Sequence, residues 1–295
     1  TGDMEKNTLT DSRKGTLYMF LSAVLFSIGG LCVKMIPWSA VAINGARSLT
    51  SVVILLIYAK AARHRLRFNP VILAGAVCTF ITNLFFSMAT KMTTAANAIV
   101  LEFTMPVFII LFSWLFFRQR PKKLDTVTCL AVFAGIICFF IDGLSAGNIP
   151  GNIVGLISGM TYAGMFMLNG STKGDAFSSV IIGQSISVLA GIPFYFKETD
   201  FSLVPLVYIL LLGVLQTGIA YIFFCRGIGK TGPVAAALVS GIEPILNPVW
   251  VAVVSGEMIS AVSVAGAVIV IAAVVAYNVI RAREPRKVPA ENSGK

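Results

Sequence analysis

GAVCTFITNLFFSMATKMT at residues 75–93 and GVLQTGIAYIFFCRGIGKT at residues 213–231 align at an offset of 138, pairing Gly75 with Gly213, Thr79 with Thr217, Ile81 with Ile219, Phe85 with Phe223, Phe86 with Phe224 and Thr93 with Thr231. Six identities in 19 pairs exceed the roughly two that shared apolar composition would give. The register runs on to Pro106 and Pro244, while Gly15 meets Gly151 and Gly135 meets Gly266 at slightly shorter offsets, so one duplication accounts for the chain. Both stretches lie in apolar runs of about 20 residues, the helix length that crosses a hydrocarbon core about 30 Å thick.

Such runs recur throughout the 295 residues, of which 57% are hydrophobic and 12% charged. Soluble domains carry about twice that share of charge, and a mean hydropathy of +0.86 excludes an ordinary soluble globule. Ten helices are predicted, over about 15–36, 39–60, 70–91, 94–117, 124–142, 151–170, 177–196, 204–226, 231–254 and 260–281. The fold expected is all-α and integral to the membrane, with ten transmembrane helices in two five-helix repeats, residues 15–142 and 151–281, between short polar tails at 1–14 and 282–295. Because five is odd, the second repeat enters the bilayer from the opposite side, and inverted repeats are a common construction of secondary transporters.

A net charge of +10 would draw nucleic acid if it were clustered on one surface, but nearly all of the 23 Lys and Arg fall between apolar runs. With the amino terminus inside, nineteen lie in cytoplasmic segments and only Lys34, Lys91 and Lys197 at outer ends, with Arg47 inside a helix. This asymmetry places both termini in the cytoplasm of a cell-membrane protein and needs no nucleic-acid partner. Cys32, Cys78, Cys129, Cys138 and Cys225 all lie in apolar runs without CxxC spacing, as small packing residues rather than disulfides or metal ligands.

Gly143-Leu144-Ser145-Ala146-Gly147 has the spacing of a nucleophile elbow, yet it is expected in a short outer loop. His64, the only histidine, is in a basic loop on the other side, so no Ser/His pair can form and no catalytic or metal site is expected.

Three ionisable residues lie deep in helices: Arg47, Glu102 and Glu243. From the helical rise, Arg47 and Glu102 lie roughly 12 Å below the outer boundary and Glu243 about 18 Å from the inner one, a common level. Charges at such depth mark functional sites by default, while an Arg47–Glu102 salt bridge joining the second and fourth helices is the structural alternative. Pro106 and Pro244 each remove an amide beside a buried Glu and free the carbonyls of Glu102 and Ser240, as broken helices lining a cavity do.

Polar stripes complete the set: Asn44, Arg47, Ser48 and Ser51; Thr79, Thr82 and Asn83 with Phe86; Gln216 and Thr217 with Tyr221; Thr161 and Tyr162; and Gln184, opposite Arg47 in the repeat register. Candidate substrate-binding residues are Arg47, Asn83, Phe86, Glu102, Tyr162, Gln184, Tyr221, Phe223 and Glu243, with Glu243 and Glu102 the candidate proton-coupling groups. Arg47 suits a carboxylate and the glutamates an ammonium, which points to a zwitterion such as an amino acid. An organic cation is the alternative if Arg47 is neutralised. A passive channel would show polar rings or carbonyl filters, and none is evident. The ridge Gly151, Gly155, Gly159 and Ala163 reads as internal packing, and the fifth and tenth helices, apolar nearly all round, as peripheral.

The two repeats, the Glu102-to-Pro106 segment, and Ile242-Glu243-Pro244 followed by Gly256-Glu257 resemble the EamA branch of the drug/metabolite transporter superfamily over residues 15–281. The first repeat departs from it with Arg118-Gln119 in place of Gly-Glu. The resemblance implies export of amino acids or related small metabolites by alternating access, driven by a proton or substrate gradient. It further implies a path between helices 1 to 4 and 6 to 9, no prosthetic group, and a monomer or homodimer in the bilayer.

Overall fold

The computed structural model describes residues 2–118, 123–146, 148–228, 230, 239–255 and 260–283, and among them it contains helices and no strand. The first half comprises α1 (Gly2–Phe26), α2 (Gly29–Met35), α3 (Ala40–Ala61), α4 (Pro70–Met92), α5 (Ala95–Glu102), α6 (Met105–Phe117) and α7 (Lys123–Ala146). The second comprises α8 (Ile149–Asn169), α9 (Ala176–Tyr195), α10 (Leu203–Leu211), a π-helical stretch (Leu212–Ile219), α11 (Ala220–Ile228), α12 (Glu243–Ser255) and α13 (Ala261–Arg283). Among the described residues, seven stretches are long and apolar enough to cross a membrane, including Lys14–Met35, Ala95–Phe116 and Leu203–Ile228, while Thr126–Cys138, Glu243–Val254 and Ala261–Tyr277 are shorter apolar helices. The chain is a multi-pass membrane protein.

Helix starts follow local chemistry. Asn69 caps α4 by accepting the Ile72 amide at 2.8 Å ahead of Pro70, and the Thr94 hydroxyl accepts the Asn97 amide at 3.0 Å to start α5. These side-chain oxygens satisfy amides that the first turn leaves open.

The fourth segment breaks at Phe103 and Thr104, and residues 241–242, at the repeat offset of 138, form the turn before α12. In both places a proline follows as the second residue of the new helix, because its missing amide and ring oppose continuation of the preceding one. The break predicted at both glutamates is therefore present.

Four expectations need correction. Residues 2–14 continue α1 instead of forming a polar tail, and residues 143–146 continue α7 instead of an outer loop, so the nucleophile-elbow spacing falls largely on helix. Polar side chains at the end of an apolar run do not stop a helix unless a breaker accompanies them. The first segment is interrupted at Ser27 and Ile28, ahead of the Gly29-Gly30 pair, and the eighth passes through the π-helical stretch around Gly213 and Gly218. Residues 231–238 of the expected ninth helix, and Gly256-Glu257, lie outside the described residues.

Packing couples the halves in matched pairs. As α4 lies on α8, α1 lies on α11; as α4 meets α9, the π-helical stretch meets α3; as α6 meets α8, α12 meets α2. Helices α3 and α9, and α7 and α13, each join an element to its own counterpart. At the last pair a side chain on Gly135 would lie 2.6 Å from Val270 and 2.8 Å from the carbonyl of its repeat mate, Gly266. Val127, Leu130, Phe133, Val264 and Val268 on these two helices are exposed, as expected of peripheral, lipid-facing elements.

The glycine ridge of α8 packs internally. Gly151 faces Met92, Gly155 faces Leu101, and a Cβ on Gly159 would meet the carbonyls of Leu101 and Glu102 at 2.8 Å. Backbone cannot yield as a side chain can, so Gly159→Ala should push α8 from the α5 break. A loss of about 1–3 kcal/mol, read as a lowered melting temperature of the purified protein, is the expected outcome.

Candidate functional site

A cavity of about 30 Å³ lies where the broken segments meet, lined by Phe26, Thr82, Asn83, Phe86, Glu102, Tyr162, Gln216, Tyr221 and Glu243. It has room for about one water. Its wall is drawn from α1, α4, α5, α8, the π-helical stretch, α11 and α12. Each half contributes one glutamate, and both are almost fully buried.

The two carboxylates are held differently. Ser158 donates to Glu102 Oε1 at 2.7 Å, and the same hydroxyl lies 3.2 Å from the carbonyl of Thr82. Glu243 Oε2 is buried with no hydrogen-bond partner among the described residues. An unpaired carboxylate oxygen in so dry a place must take up a proton or find a cation to offset its lost hydration.

Arg47 is fully buried and stands behind this wall. Its Nη1 donates to Gln216 Oε1 at 3.0 Å, and its Nη2 to Asn44 Oδ1 at 3.0 Å, the Asn83 carbonyl at 2.9 Å and Asn83 Oδ1 at 3.2 Å. The guanidinium is thus gathered by neutral amides, and the salt bridge to Glu102 that the sequence allowed is not formed among the described residues. Asn83 Nδ2 in turn donates to the Tyr221 hydroxyl at 2.8 Å. These two are repeat mates, 138 residues apart.

Aromatic rings close the remaining wall. Phe26 meets Tyr221 edge-on with centroids 5.1 Å apart, and Tyr162 meets Phe166 at 5.0 Å. The hydroxyls of Thr82 and Thr161 pair at 2.8 Å between α4 and α8.

Of the nine candidate residues, the structure brings Asn83, Phe86, Glu102, Tyr162, Tyr221 and Glu243 to one cavity. Gln184 instead accepts from Ser48 between α3 and α9, and Phe223 stacks on Tyr18 at 5.9 Å, away from the cavity. Phe223 neighbours Tyr221 in sequence, yet its ring leaves the helix on a different side. Phe26 carried no signal apart from the glycine pair three residues on, whereas Thr82 and Gln216 already stood in the polar stripes. None of the five cysteines is in a disulfide, and no cluster able to hold a metal is found among the described residues.

The sequence profile of the EamA-like transporter family matches residues 13–141 and again 149–279. An uncharacterized transporter of Clostridium kluyveri is 24% identical, over 90% of this chain and 94% of its own length. Another from Acidianus ambivalens is 27% identical over 57% of this chain and 67% of its own. The mouse protein Solute carrier family 35 member G1 is 30% identical over 42% of this chain and 35% of its own length. One solved crystal structure superposes with a TM-score of 0.68 over 93% of this chain and all of that one, at 17% identity, a likeness of fold.

Proposed function

The chain belongs to the EamA-like transporter family, and from that premise we propose a secondary transporter that exports small ammonium-bearing metabolites across the cytoplasmic membrane by alternating access, with protons exchanged at Glu243 and Glu102. Ten crossings in two inverted repeats, with both termini cytoplasmic, are the arrangement proposed. The matched helix pairs and the meetings of Gly135 with Gly266 and Asn83 with Tyr221 support a two-fold relation between the halves.

The observation that carries the substrate reading is the pair of buried carboxylates facing one aromatic cavity while Arg47 is engaged behind it. A cation entering there gains two anionic partners and the faces of Phe26, Phe86, Tyr162 and Tyr221. The cavity must widen to admit it. This arrangement favours an organic cation or amine. An amino acid is the second reading, in which its ammonium uses the same glutamates and its carboxylate takes Arg47 from the amides that now hold it.

Competition in proteoliposomes separates these readings. Each neutral amino acid is compared with the amine left by removal of its carboxylate, and with quaternary amines. The amines should inhibit flux of a transported tracer at least as well as the parent amino acids. Inhibition by amino acids alone would overturn the cation reading.

A further inference from the structure

Helices α3 and α9 belong to different halves, yet they are joined from one end to the other. At the first end the Ser39 amide and hydroxyl donate to Glu198 Oε1 at 3.0 and 2.6 Å, and Trp38 Nε1 donates to the Asp200 carbonyl at 2.6 Å. Nearly two turns on, a Cβ added to Gly45 would fall 2.7 Å from the Cα of Gly191. Then Ser48 donates to Gln184, and Tyr58 stacks on Phe177 with centroids 5.5 Å apart. At the far end His64 Nε2 lies 2.9 Å from Asp175 Oδ2, and the Arg67 amide donates to Ser178 Oγ at 2.9 Å.

The two end clamps are repeat mates. Ser39 and Asp175 occupy the N-cap positions of α3 and α9, and His64 and Glu198 lie in the connections that follow α3 and α9 respectively. Each half thus grips the start of the matching helix of the other half. Both helices are continuous, and neither supplies a residue to the cavity wall. The interruptions at residues 27–28, 103–104, 212–219 and 241–242 all fall on the segments around them.

We propose that α3 and α9 form a fixed spine that moves as one body through the transport cycle, so access alternates by displacement of the interrupted segments against it. Rocking of one intact half against the other would have to peel α3 from α9 at one face. That would break an end clamp together with the aromatic or glycine contact next to it, whereas the interrupted segments bend at positions already lacking regular helical bonds. The proposal rests on the transporter reading.

The test uses cysteine pairs at Ser39 with Glu198 and at His64 with Asp175, in a background with the five native cysteines replaced, bridged by a short bifunctional thiol reagent. With both ends bridged, proteoliposome flux should stay near its unbridged value. Loss of flux on bridging and its return on cleavage of the bridge would overturn the spine, whereas absence of flux before bridging would count against the transporter reading itself. Spin labels at the exposed neighbours Pro37 with Thr199 and Arg65 with Thr172 give a readout independent of flux. Their separations should hold steady when substrate and pH gradients are applied, and a change of about one helical turn, roughly 5 Å, at either end would also overturn it.

Discussion

Glu243→Gln should abolish proton-linked transport while the protein still folds. The substitution keeps the shape and removes the exchangeable proton and the charge. Its Oε2 has no hydrogen-bond partner to lose among the described residues, so stability should change little. Flux driven by a pH gradient is expected to fall by about 10²-fold or more, the range for loss of a positioned proton-transfer group. Glu102→Gln should be milder, because an amide oxygen can still accept from Ser158. Initial rates at two pH values, set beside the melting temperature of each variant, check both. Unchanged pH-dependent flux in Glu243→Gln would make this glutamate structural.

Arg47→Ala should damage the fold itself. It leaves the side-chain oxygens of Asn44, Asn83 and Gln216 facing a void in the protein interior, while the Asn83 carbonyl still accepts from Ser87. Each stranded acceptor costs about 1–3 kcal/mol, so a total of about 3 kcal/mol or more is expected, enough to unfold a marginally stable chain. Arg47→Lys should be intermediate, since an ammonium keeps the charge but has three donors on one nitrogen in place of the guanidinium fork. Yield and monodispersity after extraction, followed by thermal unfolding, would show the order wild type, Lys, Ala. A fully stable Arg47→Ala that loses only affinity for carboxylate-bearing substrates would instead make Arg47 a substrate clamp.

The duplicated run at residues 75–93 and 213–231, with Pro106 and Pro244, foretold where the fourth and ninth segments would break, because proline acts through local backbone chemistry. Glu102 and Glu243 were legible for a related reason: charge is rare in apolar helices, so its depth alone marks it. Arg47 was legible as buried but not in its partners. Three amides on three different segments gather it, and that depends on how α3, α4 and the π-helical stretch cross. The π-helical stretch and the break at Ser27 also escaped the sequence, since a glycine in a membrane helix more often serves close packing than interruption. Phe26 enters the cavity only because α1 bends there. Side-chain chemistry set the inventory of the site, and helix crossings set which members face the cavity.

Proton-for-ammonium exchange at the Glu102–Glu243 cavity is read from the internal pH of dye-loaded proteoliposomes containing the purified protein, followed as a quaternary amine, which cannot cross lipid as a free base, is added outside. Each entering ammonium is exchanged for a departing proton, so wild type should alkalinise the lumen in proportion to amine flux and acidify it when the amine gradient is reversed, and Glu243→Gln should give no response. Amine flux without any pH change, or an equal pH response in Glu243→Gln, would rule out proton exchange at this cavity.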